Sequence, residues 1–113
     1  MAMQPTPDDL IHEMTAIIAE AVDPQQVILF GSRAKGTAGP ASDLDFLIIQ
    51  DHPFTPDATR RKQMAKLWRL LAHFPVSQDI LLVTPQEVEE WRHTINHVIA
   101  RALREGKVVY ERT

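Results

Sequence analysis

Residues 31–45, Gly31-Ser32-Arg33-Ala34-Lys35-Gly36-Thr37-Ala38-Gly39-Pro40-Ala41-Ser42-Asp43-Leu44-Asp45, separate two apolar runs. Before them stands Gln26-Val27-Ile28-Leu29-Phe30, and after them Leu44 to Ile49. Short apolar runs of this kind, divided by Gly, Pro and Ser, read as strand, loop, strand. Gly31 has no Cβ, so backbone N–H groups and the Ser32 hydroxyl can approach phosphate oxygens closely; a short helix opening at Ser32 would add its dipole. Asp43 and Asp45 are two apart at the head of the second strand. The two-residue period therefore puts both carboxylates on one face and Leu44 and Phe46 on the other. Carboxylates this close repel unless a cation lies between them, and such hard ligands suit Mg²⁺ held together with substrate phosphates. Singly, a Gly-Ser pair is usually a turn and Asp-x-Asp a solvated strand start. Their combination at this spacing gives the stretch its meaning.

A chain of 113 residues is expected to form one domain, residues 1–113, with a single core and no room for an added substrate-binding domain. It has no cysteine, which excludes disulfides and thiolate chemistry. No apolar run approaches the ~20 residues that span a bilayer, and the N-terminus lacks the basic and apolar regions of a signal peptide, so a cytoplasmic location is expected. Twelve Lys and Arg against fifteen Asp and Glu give a net charge of −3, which does not favour wrapping a long nucleic acid. A mononucleotide with its metal remains compatible, because local charge then decides.

In chain order, a helix is expected from about Pro7 to Ala21, with Thr6 as N-cap, Asp8 and Asp9 in the first turn, and Leu10, Met14, Ile17, Ile18 and Ala21 as its apolar stripe. Asp23-Pro24 stops it. The Thr-Pro opening recurs at Thr55-Pro56 and Thr84-Pro85, the latter with Glu87 completing a capping box. The spacing predicts a second helix over about Pro56 to His73 that buries Met64, Leu67, Trp68 and Leu71. Lys62, Lys66 and Arg69 share another face, with Arg60 and Arg61 nearby, that is either solvated, a partner surface or an attraction for the nucleotide. Val76 to Val83 reads as a third strand carrying Asp79. A long helical region, Pro85 to Glu105, follows, with Val88, Trp91, Ile95, Val98, Ile99 and Ala102 on one face. Gly106 stands at C′, and residues 107–111 form an edge strand in which Tyr110 packs. His93 and His97 are four apart but have no evident third ligand, and read as surface residues.

If the strand at Asp43 connects through the second helix to the strand at Asp79, the unit is βαβ and its strands are parallel, which brings Asp79 to the end where Asp43 and Asp45 lie. The first strand must then run antiparallel to the second to set Ser32 beside Asp45. The expected architecture is α+β, a mixed sheet of about four strands flanked by three main helices.

Gly31-Ser32, ten residues, then Asp43-x-Asp45 and an apolar run resembles the signature of the DNA polymerase β-like nucleotidyltransferase superfamily. Arg33-Ala34-Lys35-Gly36 and Ser42-Asp43-Leu44-Asp45 are similar to its minimal nucleotidyltransferase (MNT) branch. The resemblance implies that Asp43, Asp45 and Asp79 are the catalytic carboxylates and hold Mg²⁺, two ions in all, with Asp79 as ligand, general base or both. Gly31 and Ser32 would cradle the β and γ phosphates of ATP, and Arg33 or Lys35 would neutralise charge on the leaving pyrophosphate. Nothing in so short a chain supplies an acceptor site, so another protein is implied. In the MNT branch this is a HEPN-family ribonuclease toxin encoded by an adjacent gene. An MntA-type antitoxin binds that toxin as a hetero-oligomer and transfers AMP to its tyrosine. Two other readings stay open: an antitoxin that neutralises its partner by occlusion without turnover, and nucleotidyl transfer to a small molecule.

Overall fold

The computed structural model describes residues 7–31, 44–94 and 97–112. Their order is α1 (Pro7–Val22), β1 (Gln26–Phe30), β2 (Leu44–Ile49), α2 (Arg60–Leu71), β3 (Gln78–Val83), α3 (Pro85–Trp91), α4 (Val98–Glu105) and β4 (Lys107–Glu111). The strands form one mixed sheet in the order β3-β2-β1-β4. β1 is antiparallel to β2 and β4, and β2 is parallel to β3 across the α2 crossover. Both topological expectations hold, and the α+β architecture with them. Four described helices flank the sheet rather than three.

Strand alternation sorts the core into two layers. Val27, Leu29, Leu44, Phe46, Ile48, Ile80 and Leu82 point to one face, where α1 contributes Met14 and Ile18 and α2 contributes Leu67 and Leu71. Ile28, Leu47, Ile49 and Val83 point to the other, under Val88 of α3 and Ile99 and Ala102 of α4. A sheet apolar on both faces needs helices on both. α1 and α2 cover one face and α3 and α4 the other.

The second helix begins later than its Thr-Pro signal predicts. Thr55 and Ala58 exchange backbone hydrogen bonds of 3.2 and 3.1 Å, and the Ala58 N–H also reaches Thr55 Oγ1 at 3.1 Å, closing a turn where the helix was expected. Thr59 is the actual N-cap, accepting from the Lys62 N–H. Thr84, by contrast, caps α3 as expected, in a capping box with Glu87. Thr6, the expected cap of α1, lies outside the described residues.

The expected single helix over Pro85 to Glu105 is two. At ~1.5 Å per residue it would run about 31 Å, whereas a six-residue strand spans about 20 Å, so one straight rod would overshoot the sheet it covers. The chain breaks after Trp91, and His97 restarts it as N-cap, its Nδ1 accepting from the Ile99 N–H at 3.2 Å. The Trp91 indole stacks on that imidazole, centroids 4.4 Å apart and planes 10° from parallel. Trp91 and Val98, expected in the core, are 37% and 41% exposed, and Trp68 on α2 is 39% exposed. His93 is exposed as expected; His97 is half-buried by its capping role.

Gly106 ends α4 with an ordinary φ of −82°, so its requirement for glycine is one of space. A Cβ there would collide with the Ala102 carbonyl and Ile28 Cγ2. At the far end of the sheet the Arg112 guanidinium pairs with the Asp51 carboxylate and reaches the Asp23 carbonyl at 3.2 Å, joining the ends of β4 and β2 to the start of β1. Among the described residues no helix is long and apolar enough to cross a membrane.

Candidate functional site

The burial rhythm of the two central parallel strands fails at their heads. β2 is buried at Leu44 and from Phe46 to Ile49 but half-buried at Asp45; β3 is buried at Gln78 and Ile80 but exposed at Asp79. The registers join these breaks. Asp45 lies opposite Asp79 on one side and opposite Phe30 on the other. Residues paired across a parallel register project to the same face from strands about 4.8 Å apart, so the two carboxylates stand side by side. Their face is that of Leu47, Leu81 and Val83, which α3 and α4 cover further along; at the strand heads Asp45 is half-buried and Asp79 exposed.

Local anchors fix this geometry. The Leu44 N–H bonds the Ser77 carbonyl at 2.9 Å, tying the start of β2 to the residue before β3. Gln78 is buried, and its Nε2 bonds the Leu71 carbonyl at 3.2 Å, pinning the head of β3 to the last turn of α2. Asp79 is thereby held by the two residues that precede it in the chain.

Gly31 closes the third side. It follows Phe30 with φ of +83°, a left-handed conformation that side chains rarely adopt. A Cβ at Gly31 would collide with Asp45 Oδ2. The turn and the carboxylate are thus packed directly together, and glycine is required on both counts. Of the residues singled out in the sequence, Gly31, Asp45 and Asp79 meet at one end of the sheet. Ser32, Arg33, Lys35 and Asp43 lie outside the described residues.

Two adjacent carboxylates beside a bare backbone turn suit a hard divalent cation that takes its remaining oxygens from substrate. Among the described residues no three His, Asp or Glu side chains cluster as a complete protein ligand set. The donor set fits a cation shared with phosphate oxygens. The site's main contribution that the sequence did not disclose is the contact between Gly31 and Asp45, which depends on strand register and has no local signal.

The antiparallel β1-β2 hairpin, the parallel β3 and the acidic strand heads define a nucleotidyltransferase-type α+β domain. The chain belongs to the nucleotidyltransferase domain family, whose model matches residues 12–110. Among solved structures it is similar to one from Sulfolobus solfataricus described as a candidate nucleotidyltransferase, with 18% identity, TM-score 0.61, and coverage of 91% of this chain and 78% of that one. It is also similar to a toxin-antitoxin structure with AMP-PNP, with 18% identity, TM-score 0.55, and coverage of 90% and 74%. At such identity these likenesses bear on the fold. No curated protein sequence matches significantly.

Proposed function

We propose that this nucleotidyltransferase domain transfers AMP from ATP to a tyrosine hydroxyl of a HEPN-family ribonuclease toxin encoded beside it, and so acts as an MntA-type antitoxin in the cytoplasm. The observation that carries the reading is the Asp45–Asp79 register beside the Gly31 turn. The likeness to a toxin-antitoxin structure containing an ATP analogue supports the choice of nucleotide and partner class.

Asp45 and Asp79, with Asp43, are the residues that would hold Mg²⁺. Bound there, the cation supplies charge neutralisation at the triphosphate and acidifies the acceptor hydroxyl. The remaining chemistry belongs to the chain. The turn at Gly31 and Ser32 positions the β and γ phosphates, with Arg33 or Lys35 against the departing charge. A tyrosine oxygen bonds to the α-phosphorus in line as the bond to the bridging oxygen breaks. Pyrophosphate leaves, and the hydroxyl proton passes to a carboxylate, Asp79 being the candidate base, or to water.

The test is incubation with α-labelled ATP, Mg²⁺ and the co-purified product of the adjacent gene. Label should move to that partner and be lost with Asp45→Asn. A partner that stays unlabelled yet is held and inhibited would establish occlusion instead, and label on a small hydroxyl compound alone would establish a small-molecule acceptor.

A further inference from the structure

The helix pair on the face opposite Asp45 and Asp79 is divided by charge. α1 carries Asp8, Asp9, Glu13 and Glu20 and no Lys or Arg; α2 carries Arg60, Arg61, Lys62, Lys66 and Arg69 and no acid. The two are antiparallel, since the Lys66 ammonium reaches the Ala21 carbonyl at 3.4 Å while Leu70, one turn further along α2, lines a groove with Ile17, one turn back on α1. Between the acidic and basic helices runs an apolar seam of Ile17, Ala21 and Leu70, with Leu70 40% exposed. Two shallow grooves of about 480 Å³ each lie along the pair, meeting at Lys66. Among the described residues, neither Glu13 nor Glu20 forms an ion pair, and Lys62 and Lys66 meet only backbone carbonyls.

An acidic helix beside a basic one of opposite direction, with an apolar seam between, is self-complementary. We propose that a second copy of this chain docks on the α1–α2 face, about a two-fold axis parallel to the helices. That axis lays α1 of one copy over α2 of the other, antiparallel, and repeats the contact with roles exchanged. Glu20 then faces the Lys62–Lys66 stretch of the partner, Glu13 faces its Arg69 and His73 end, and the two seams meet at the centre as in a four-helix bundle. The alternative axis, which stacks α1 on α1, sets acid against acid. Because the seam lies on the opposite side of the sheet, both acidic strand heads stay open, and the dimer does not depend on the nucleotidyl-transfer reading.

The face is limited by the twelve residues of α2, about 18 Å of helix, which is small for an interface; it gives a micromolar dimer sensitive to ionic strength. Sedimentation velocity over 1–200 µM tests it with three proteins. Wild type should dimerise at low salt and weaken about tenfold on raising salt to 0.5 M. Glu13→Lys/Glu20→Lys and Lys62→Glu/Lys66→Glu should each be monomeric, since each sets like charges against one another where position 20 of one copy faces positions 62 and 66 of the other. Mixed in equal amounts they should form a heterodimer, a rescue that misfolded variants could not give. Wild type that stays monomeric at 200 µM in low salt, or a mixture that stays monomeric, overturns the proposal.

Discussion

Asp45 carries its carboxylate into the space that a Cβ on Gly31 would occupy, and Gly31 holds φ at +83° to leave that space free. Chain reversal after β1 and placement of the acid at the head of β2 are therefore one structural event. Gly31→Ala meets both backbone strain and a steric conflict. We expect it to lower stability by about 1–3 kcal/mol, read as a fall in Tm, and to abolish nucleotide-dependent stabilisation even in the protein that remains folded.

Asp45 and Asp79 are neighbours by register and 34 positions apart in sequence. If both bind the cation that accompanies ATP, Mg²⁺ with a non-hydrolysable ATP analogue at about 100 times Kd should stabilise wild type by about 2.7 kcal/mol. Asp45→Asn and Asp79→Asn should each remove most of that increment. Asp79→Asn should leave the Tm of the ligand-free protein nearly unchanged, because the Asp79 side chain is exposed. Differential scanning fluorimetry with and without ligand separates the two effects.

Leu67 is fully buried where α2 meets the sheet, beside Leu71, Phe46 and Leu82. Leu67→Ala should cost about 2–5 kcal/mol in urea unfolding, whereas Trp68→Ala one position on should cost less because Trp68 is 39% exposed and its loss leaves no enclosed cavity. Equal losses at the two positions would mean that α2 is rotated about its axis.

The pH response near the α3 cap has a defined sign. Burial raises the Glu87 pKa, but the Arg60 guanidinium and the Thr84 N–H and hydroxyl outweigh it and hold the carboxyl below its ordinary value of 4.5. A carboxyl depressed by folding adds stability above its unfolded value and loses it as pH falls through the folded one. Asp51, held low by the hydrogen bond from Arg112, acts in the same direction. Stability should therefore fall as pH drops below about 4.5, and Glu87→Gln, which keeps the cap but not the charge, should reduce that fall by less than about 1 kcal/mol. Thermal melts between pH 6 and pH 3 check it.

Much of this fold was legible because its signals are local. The apolar runs at Gln26–Phe30 and Leu44–Ile49 carry β1 and β2, and the crossover rule made β2 and β3 parallel, which brought Asp79 beside Asp45. What was not legible depended on contacts distant in sequence or on competition between similar signals. Thr55-Pro56 and Thr84-Pro85 look alike, yet Ala58 lets the first close on itself as a turn while Glu87 commits the second to a helix. The apolar spacing of residues 85–105 serves one helix or two equally well, and the length of the sheet decides between them. The Arg112–Asp51 pair spans 61 positions and left no pattern to read.

The central claim is that Asp45 and Asp79 grip one cation together. The most direct measurement is anomalous diffraction from crystals grown with Mn²⁺, standing in for Mg²⁺, and a non-hydrolysable ATP analogue. The account predicts an anomalous peak bonded to an oxygen of each carboxylate at roughly the 2.1 Å of Mg²⁺–oxygen bonds, with the analogue's phosphates lying against the Gly31 turn. A cation bound away from Asp79, or phosphates seated elsewhere on the sheet, would contradict it.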